Sequence, residues 1–112
     1  MSSWADIHIG KLEDGEHLVR FRPRGNSMTP LVQSGDLVEV RSLIGEYWVP
    51  TLKTVLQKGD IVLCKVGGRV YLHKVLTVAH DGRVQIGNNH GKVNGWTKTV
   101  YGILNKIIHE NE

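Results

Sequence analysis

The segment "PRGNSMTPLVQSGD", residues 23–36, sets a serine among residues that restrict the backbone. Gly25 permits turn conformations closed to other residues, Pro30 removes a backbone donor, and Met28 is more apolar than a loop that only meets water requires. One use for such a phrase is to hold Ser27 for nucleophilic attack, which needs a neighbouring base to take the hydroxyl proton. The blander use is a cap, because Ser-Met-Thr-Pro could open a short helical turn. "RVYLHKVL", residues 69–76, offers two candidate bases side by side, His73 and Lys74. An imidazole with its ordinary pKa of about 6.5 is mostly neutral at pH 7, whereas a lysine at about 10.4 must be buried to serve. Adjacent side chains of a strand point to opposite faces, so only one of the two can look towards Ser27.

These side chains need a scaffold, and the alternation of apolar with polar residues predicts one made of strands. Six are expected, over 17–23, 36–42, 60–66, 69–78, 83–87 and 98–108. The first carries Arg20 and leads to Arg22 and Arg24, a basic outer stripe. Gly67-Gly68 and Asp81-Gly82 are turn signals that link the middle strands as hairpins, and with the last strand they indicate an antiparallel meander. The fold class is therefore mainly β, with short helical turns. "SGDLVEV" and "KGDIVLCK" repeat a Gly-Asp at a strand entrance, where glycine supplies a positive φ and the carboxylate can cap turn amides. "SLIGEYWVPTLKTVL" fits neither template, so residues 42–57 are expected to form a loop or flap insert. Residues 1–16 read as an N-terminal extension of one domain spanning 1–112.

Taken together, "GNSMTPLVQSGDLVEV" resembles the nucleophile segment of the signal peptidase and LexA/UmuD-type serine peptidases: Gly, a variable residue, Ser-Met, a spacer often containing Pro, then Gly-Asp and a strand. "KGDIVLCKV" is similar to the box that follows, and "RVYLHKVL" to the general-base strand, so the resemblance covers roughly residues 18–105. It implies a signal-peptidase/LexA-like antiparallel β-fold and a peptidase with Ser27 as nucleophile. "HKV" is similar to the His-Arg-Val of archaeal and endoplasmic-reticulum signal peptidases, in which histidine replaces lysine, so the implied base is His73, with Lys74 as the alternative. The Ser27 N–H is the implied oxyanion donor, with Gly25, Asn26 and Met28 as backbone support. Some relatives add a hydroxyl two residues before the serine, which Gly25 cannot supply. Histidine-type members carry an acidic box after the base; the matching stretch here is "IGNNHGKVNGW", with Asn88 at the aspartate's place and Asn94 likewise uncharged. Asp81 is the remaining nearby acid, in a hairpin-like "HDG". An amide can orient an imidazole but cannot stabilise its cation as a carboxylate can, and the Asp→Asn change in a well-known triad costs about 10⁴ in turnover.

Length and composition narrow the remaining classes. A chain of 112 residues is enough for one domain that buries roughly 65% of its unfolded surface. The single cysteine, Cys64, cannot form an internal disulfide and sits in an apolar run that suits a buried, inert thiol. His80 and His90 have no ligand-spaced partners, so neither a metal nor a cofactor is expected. A net charge of +3 and a stripe of three arginines are too little to argue for nucleic acid. No apolar run reaches membrane-spanning length and the first residues lack a secretory pattern, which points to a soluble cytoplasmic protein. The expected activity is cleavage in trans of a protein or an extended peptide laid against a strand edge, since the Ala-Gly site of self-cleaving relatives is missing. The alternative is a catalytically weak or inactive domain that binds a protein partner, with Tyr47 and Trp48 of "GEYWVPTL" as anchors.

Overall fold

Two turns of the same chemistry launch two of the strands around which the sheet is built. In Gln33–Asp36 and Gln57–Asp60 the aspartate N–H donates to the glutamine carbonyl (3.0 and 3.1 Å), and its Oδ2 accepts the glutamine N–H (2.8 Å in both). The third residue is Gly35 or Gly59 at φ 88° or 97°, a conformation costly for any residue with a Cβ. Each turn releases the chain directly into a strand, as the repeated Gly-Asp predicts.

The computed structural model describes residues 5–44 and 56–108. Among these residues a helix, α1 (Asp6–Glu13), precedes seven strands: β1 (Leu18–Phe21), β2 (Leu37–Ser42), β3 (Ile61–Val66), β4 (Arg69–Val78), β5 (Val84–Gly87), β6 (Val93–Thr97) and β7 (Val100–Ile108). All pair antiparallel in one sheet of order β1-β2-β7-β3-β4-β5-β6, so the fold is mainly β. Six of these strands occupy the segments read from sequence. The seventh, β6, lies inside "KVNGWT", where Asn94 and Gly95 interrupt the apolar alternation that marks a strand. The meander holds from β3 through β6, but β7 leaves it and returns between β2 and β3. Thr97 Oγ1 donates to the Lys65 carbonyl (2.6 Å) and the Lys65 N–H to that of Thr99 (3.0 Å), which brings the β6–β7 corner over to β3.

Central placement explains the nearly unbroken apolar run of β3. Leu63 joins one buried cluster with Val19, Phe21, Met28, Val38, Val40 and Leu72, while Val62, Cys64 and Val66 join a second with Val75, Val84, Ile86 and Val100. A strand covered on both faces cannot alternate with polar residues. Cys64 is fully buried, and burial pushes its thiol up to about 12, leaving it protonated and inert.

Helix α1, within the segment read as an extension, buries Ile9 and Leu12, one turn apart, against the first cluster. It ends in a Schellman motif: Gly15 N–H donates to Leu12 and Glu16 N–H to Lys11 (3.1 Å each), with Gly15 at φ 100°. Leu43 and Leu56, at the two ends of the expected insert, are buried in the second cluster; Tyr47 and Trp48 lie outside the described residues.

Because Leu63 is the point where β3 enters the first cluster, Leu63→Ala is expected to destabilise the fold by about 2–5 kcal/mol. Urea unfolding monitored by tryptophan fluorescence measures it, and a loss below about 1 kcal/mol would contradict this packing.

Candidate active site

Ser27 sits in the loop between β1 and β2, and the loop is closed at its neck. Gly35 N–H donates to the Pro23 carbonyl (2.9 Å), Arg22 Nη1 to the Gly35 carbonyl (2.7 Å), and Gly25 N–H to Ser34 Oγ (3.3 Å). Met28, only 4% exposed, plugs the loop into the first cluster beside Val32, whose N–H donates to the Met28 carbonyl (3.0 Å). An apolar residue directly after the serine thus fixes the backbone on which the hydroxyl is mounted.

The base candidate arrives from β4. His73 pairs with Val62 of β3, and its Nε2 lies 3.0 Å from Ser27 Oγ. On the other side of the ring, Nδ1 lies 2.6 Å from Asn94 Oδ1 on β6. A carbonyl oxygen can only accept, so Nδ1 carries the proton and Nε2 presents its lone pair to the serine hydroxyl. Burial lowers the His73 pKa from its ordinary 6.5; the Asn94 contact works against this, and the charge of Lys92 adds to the lowering. His73 is therefore neutral at pH 7. The Tyr71 ring, two residues earlier on the same face, packs against it at a centroid distance of 4.8 Å.

A second loop, residues 88–92 between β5 and β6, grips the serine segment from one side. Asn89 N–H donates to the Ser27 carbonyl (2.8 Å) and Asn89 Nδ2 to the Thr29 carbonyl (2.9 Å). His90 Nε2 donates to the Asn26 carbonyl (2.9 Å), which also receives the Thr29 hydroxyl (2.9 Å). In trans peptides the N–H points opposite to the carbonyl it follows. The Ser27 and Met28 N–H groups therefore point away from the 88–92 loop, and both residues border a cleft of about 460 Å³ that Val70–His73 also line.

The remaining candidates fall elsewhere. Lys74, on the face opposite His73, donates its ammonium to Asn89 Oδ1 (2.9 Å), so it braces the clamp. Asn88 Oδ1 accepts the His90 and Lys92 N–H groups (2.8 and 3.0 Å) and shapes the 88–92 loop, so of the two asparagines Asn94 is the one that meets the imidazole. Asp81 caps the β4–β5 turn through Arg83, whose N–H and Nε hold its carboxyl below the usual range. Gly25 and Asn26 flank the serine as backbone, with Gly25 at φ 103°. Among the described residues no group of His, Cys, Asp and Glu is placed to hold a metal, and no helix is long and apolar enough to cross a membrane.

Sequence reasoning missed Tyr71, Asn89 and His90 as parts of this site. Period-two spacing from His73 points to Tyr71. Asn89 and His90 act from a loop through backbone acceptors, which leave no pattern in side-chain type. No protein-family model matches the chain, and no curated protein matches its sequence.

The His73 environment makes a signed prediction. Asn94→Asp is expected to raise the imidazole pKa and Asn94→Ala to lower it further, as read by NMR titration of the ring protons. Because the folded pKa lies below 6.5, the unfolded chain binds more protons on acidification, so the stability tied to neutral His73 is complete above 6.5 and is lost as pH falls towards the folded value. A titration above 6.5 in the unaltered protein would contradict the burial argument.

Proposed function

We propose that this domain is a serine peptidase of the signal-peptidase/LexA type that cleaves an extended peptide in trans, with Ser27 as nucleophile and His73 as general base. The observation that carries the reading is the linear contact from Ser27 Oγ through His73 to Asn94 Oδ1 at the wall of a cleft. The resemblance of the serine and histidine segments to that family supports it independently of the geometry.

The chemistry follows from the contacts. As Ser27 Oγ bonds to the carbonyl carbon of the scissile amide, its proton passes to His73 Nε2, and the amide oxygen becomes an oxyanion. The Ser27 N–H, turned away from the 88–92 loop, is the donor offered to that oxygen, and the Met28 N–H has the same orientation. Collapse breaks the C–N bond, and His73 returns the proton to the departing amine, leaving an acyl ester on Ser27. Water attacks the ester, gives a proton to His73, and the carboxylic acid leaves as Ser27 regains its hydrogen. Asn94 orients the ring throughout but adds no negative charge beside the imidazolium, so turnover is slow.

The edge of β4 supports an extended substrate. Val75 donates to Asp60 (2.7 Å) and accepts from Gly59 (2.8 Å), so both its backbone groups point to the β3 side. By period two the groups of Val70 and Leu72 point the opposite way, where β5 pairs with β4 only from Lys74 onwards. A peptide strand added there lies along the cleft beside Ser27 and His73.

A serine-reactive fluorophosphonate followed by intact-mass analysis tests the assignment. One adduct is expected, lost in Ser27→Ala and reduced at least about 100-fold in rate in His73→Ala. The labelling rate of the unaltered protein is expected to rise with pH through a midpoint below 6.5, as His73 becomes neutral. No adduct at neutral or mildly alkaline pH in the folded protein would count against catalysis and leave the cleft as a peptide-binding site.

A further inference from the structure

The three arginines that form one stripe in the sequence separate in space. Arg20 is committed to the sheet, with Nη2 and Nε 2.9 and 3.1 Å from Glu39 Oε1, and Glu39 is further held by Asn105 Nδ2 (2.6 Å). Arg22 and Arg24 line the cleft together with Ser27 and His73, and among the described residues none that lines it is acidic. Arg22 is held in place by its Nη1 contact to the Gly35 carbonyl, on the turn that closes the serine loop. Arg24 is exposed and stands directly before Gly25. The charge of Lys92, felt at His73, has the same sign. Met28, Val32, Val70 and Leu72 give the same cleft an apolar part.

Building on the peptidase reading, we propose that the cleft selects acidic substrates: an extended peptide whose backbone pairs with Val70 and Leu72, whose small or apolar side chain meets the apolar wall, and whose Asp or Glu side chain is received by Arg24 and Arg22. Guanidinium groups bind carboxylates with directional, charge-assisted hydrogen bonds, and a cleft of one sign repels peptides of the same sign. A cleft of about 460 Å³ with two arginines suits a peptide carboxylate, whereas a nucleic acid strand needs a longer basic track.

The test separates charge selection from catalysis by using Ser27→Ala protein, which can bind without cutting. Ten-residue peptides with acetylated and amidated ends, randomised except for one position fixed as Glu, Gln or Lys, are passed over the immobilised protein and the retained fraction is sequenced by mass spectrometry. At a preferred position Glu is expected to be enriched about tenfold over Gln, with Lys depleted, and the preference is expected to shrink in high salt. Adding Arg24→Glu is expected to reverse the order in favour of Lys, Arg22→Gln to weaken it, and Arg20→Gln, outside the cleft, to leave it unchanged. Equal retention of Glu and Lys, no retention of any peptide, an unaltered preference in the Arg24→Glu protein, or equal displacement by a single-stranded oligothymidylate would overturn the proposal. A fluorophosphonate adduct without charge preference removes the selectivity alone; charge preference without an adduct removes the peptidase reading and retains the acidic-peptide site.

Discussion

The hydrogen bond from the Asn89 N–H to the Ser27 carbonyl is the contact on which the rest of the site depends. Ser27 belongs to a loop outside any regular element, and a loop left to itself would hold its hydroxyl only loosely. His73 is 46 residues away on a strand locked into the sheet. The 88–92 loop closes the gap, because it grows from β5, which is paired to the same β4 that carries the histidine. Asn89 and His90 pull the carbonyls of the serine segment to one side, Met28 anchors the loop from beneath, and Lys74 braces Asn89 from the opposite face of the histidine's own strand. One strand thus supplies the imidazole that meets Ser27 and, through the next residue, the brace.

Much of this arrangement is legible in the sequence, and the parts that are not have physical reasons. Strands buried on one face or both leave apolar patterns that local reading detects, and the two Gly-Asp turns announce where β2 and β3 begin. The nucleophile phrase and the face argument at His73 and Lys74 likewise concern neighbours in the chain. Strand β6 is hidden because its sequence contains Asn94 and Gly95, and its burial is only partial. The return of β7 between β2 and β3 depends on pairing partners tens of residues away, which periodicity does not encode. For the same reason sequence alone leaves Asn88 and Asn94 as alternatives: Asn88 is in the loop and Asn94 on the strand, and only the sheet shows which one meets the ring.

Asn94 shapes the electrostatics around His73. The Asn94 amide orients the ring and, carrying no charge, favours its cation less than burial and the Lys92 charge oppose it, so the imidazole stays neutral. The same surroundings that favour a neutral base place positive charge around the cleft, from Arg22 and Arg24 on one side and Lys92 near the ring. A negatively charged ligand in the cleft would offset that field and raise the tendency of His73 to protonate.

Activation of Ser27 requires one tautomer of His73. A long-range proton–nitrogen correlation spectrum of the protein labelled with ¹⁵N-histidine, recorded at neutral pH, distinguishes the two ring nitrogens directly. The arrangement of Ser27, His73 and Asn94 predicts a protonated Nδ1 and an unprotonated Nε2 facing the serine. A proton on Nε2 instead would mean that Asn94 presents its amide nitrogen to the ring, that the lone pair needed by Ser27 points away from it, and that the site as described is not built to activate the serine.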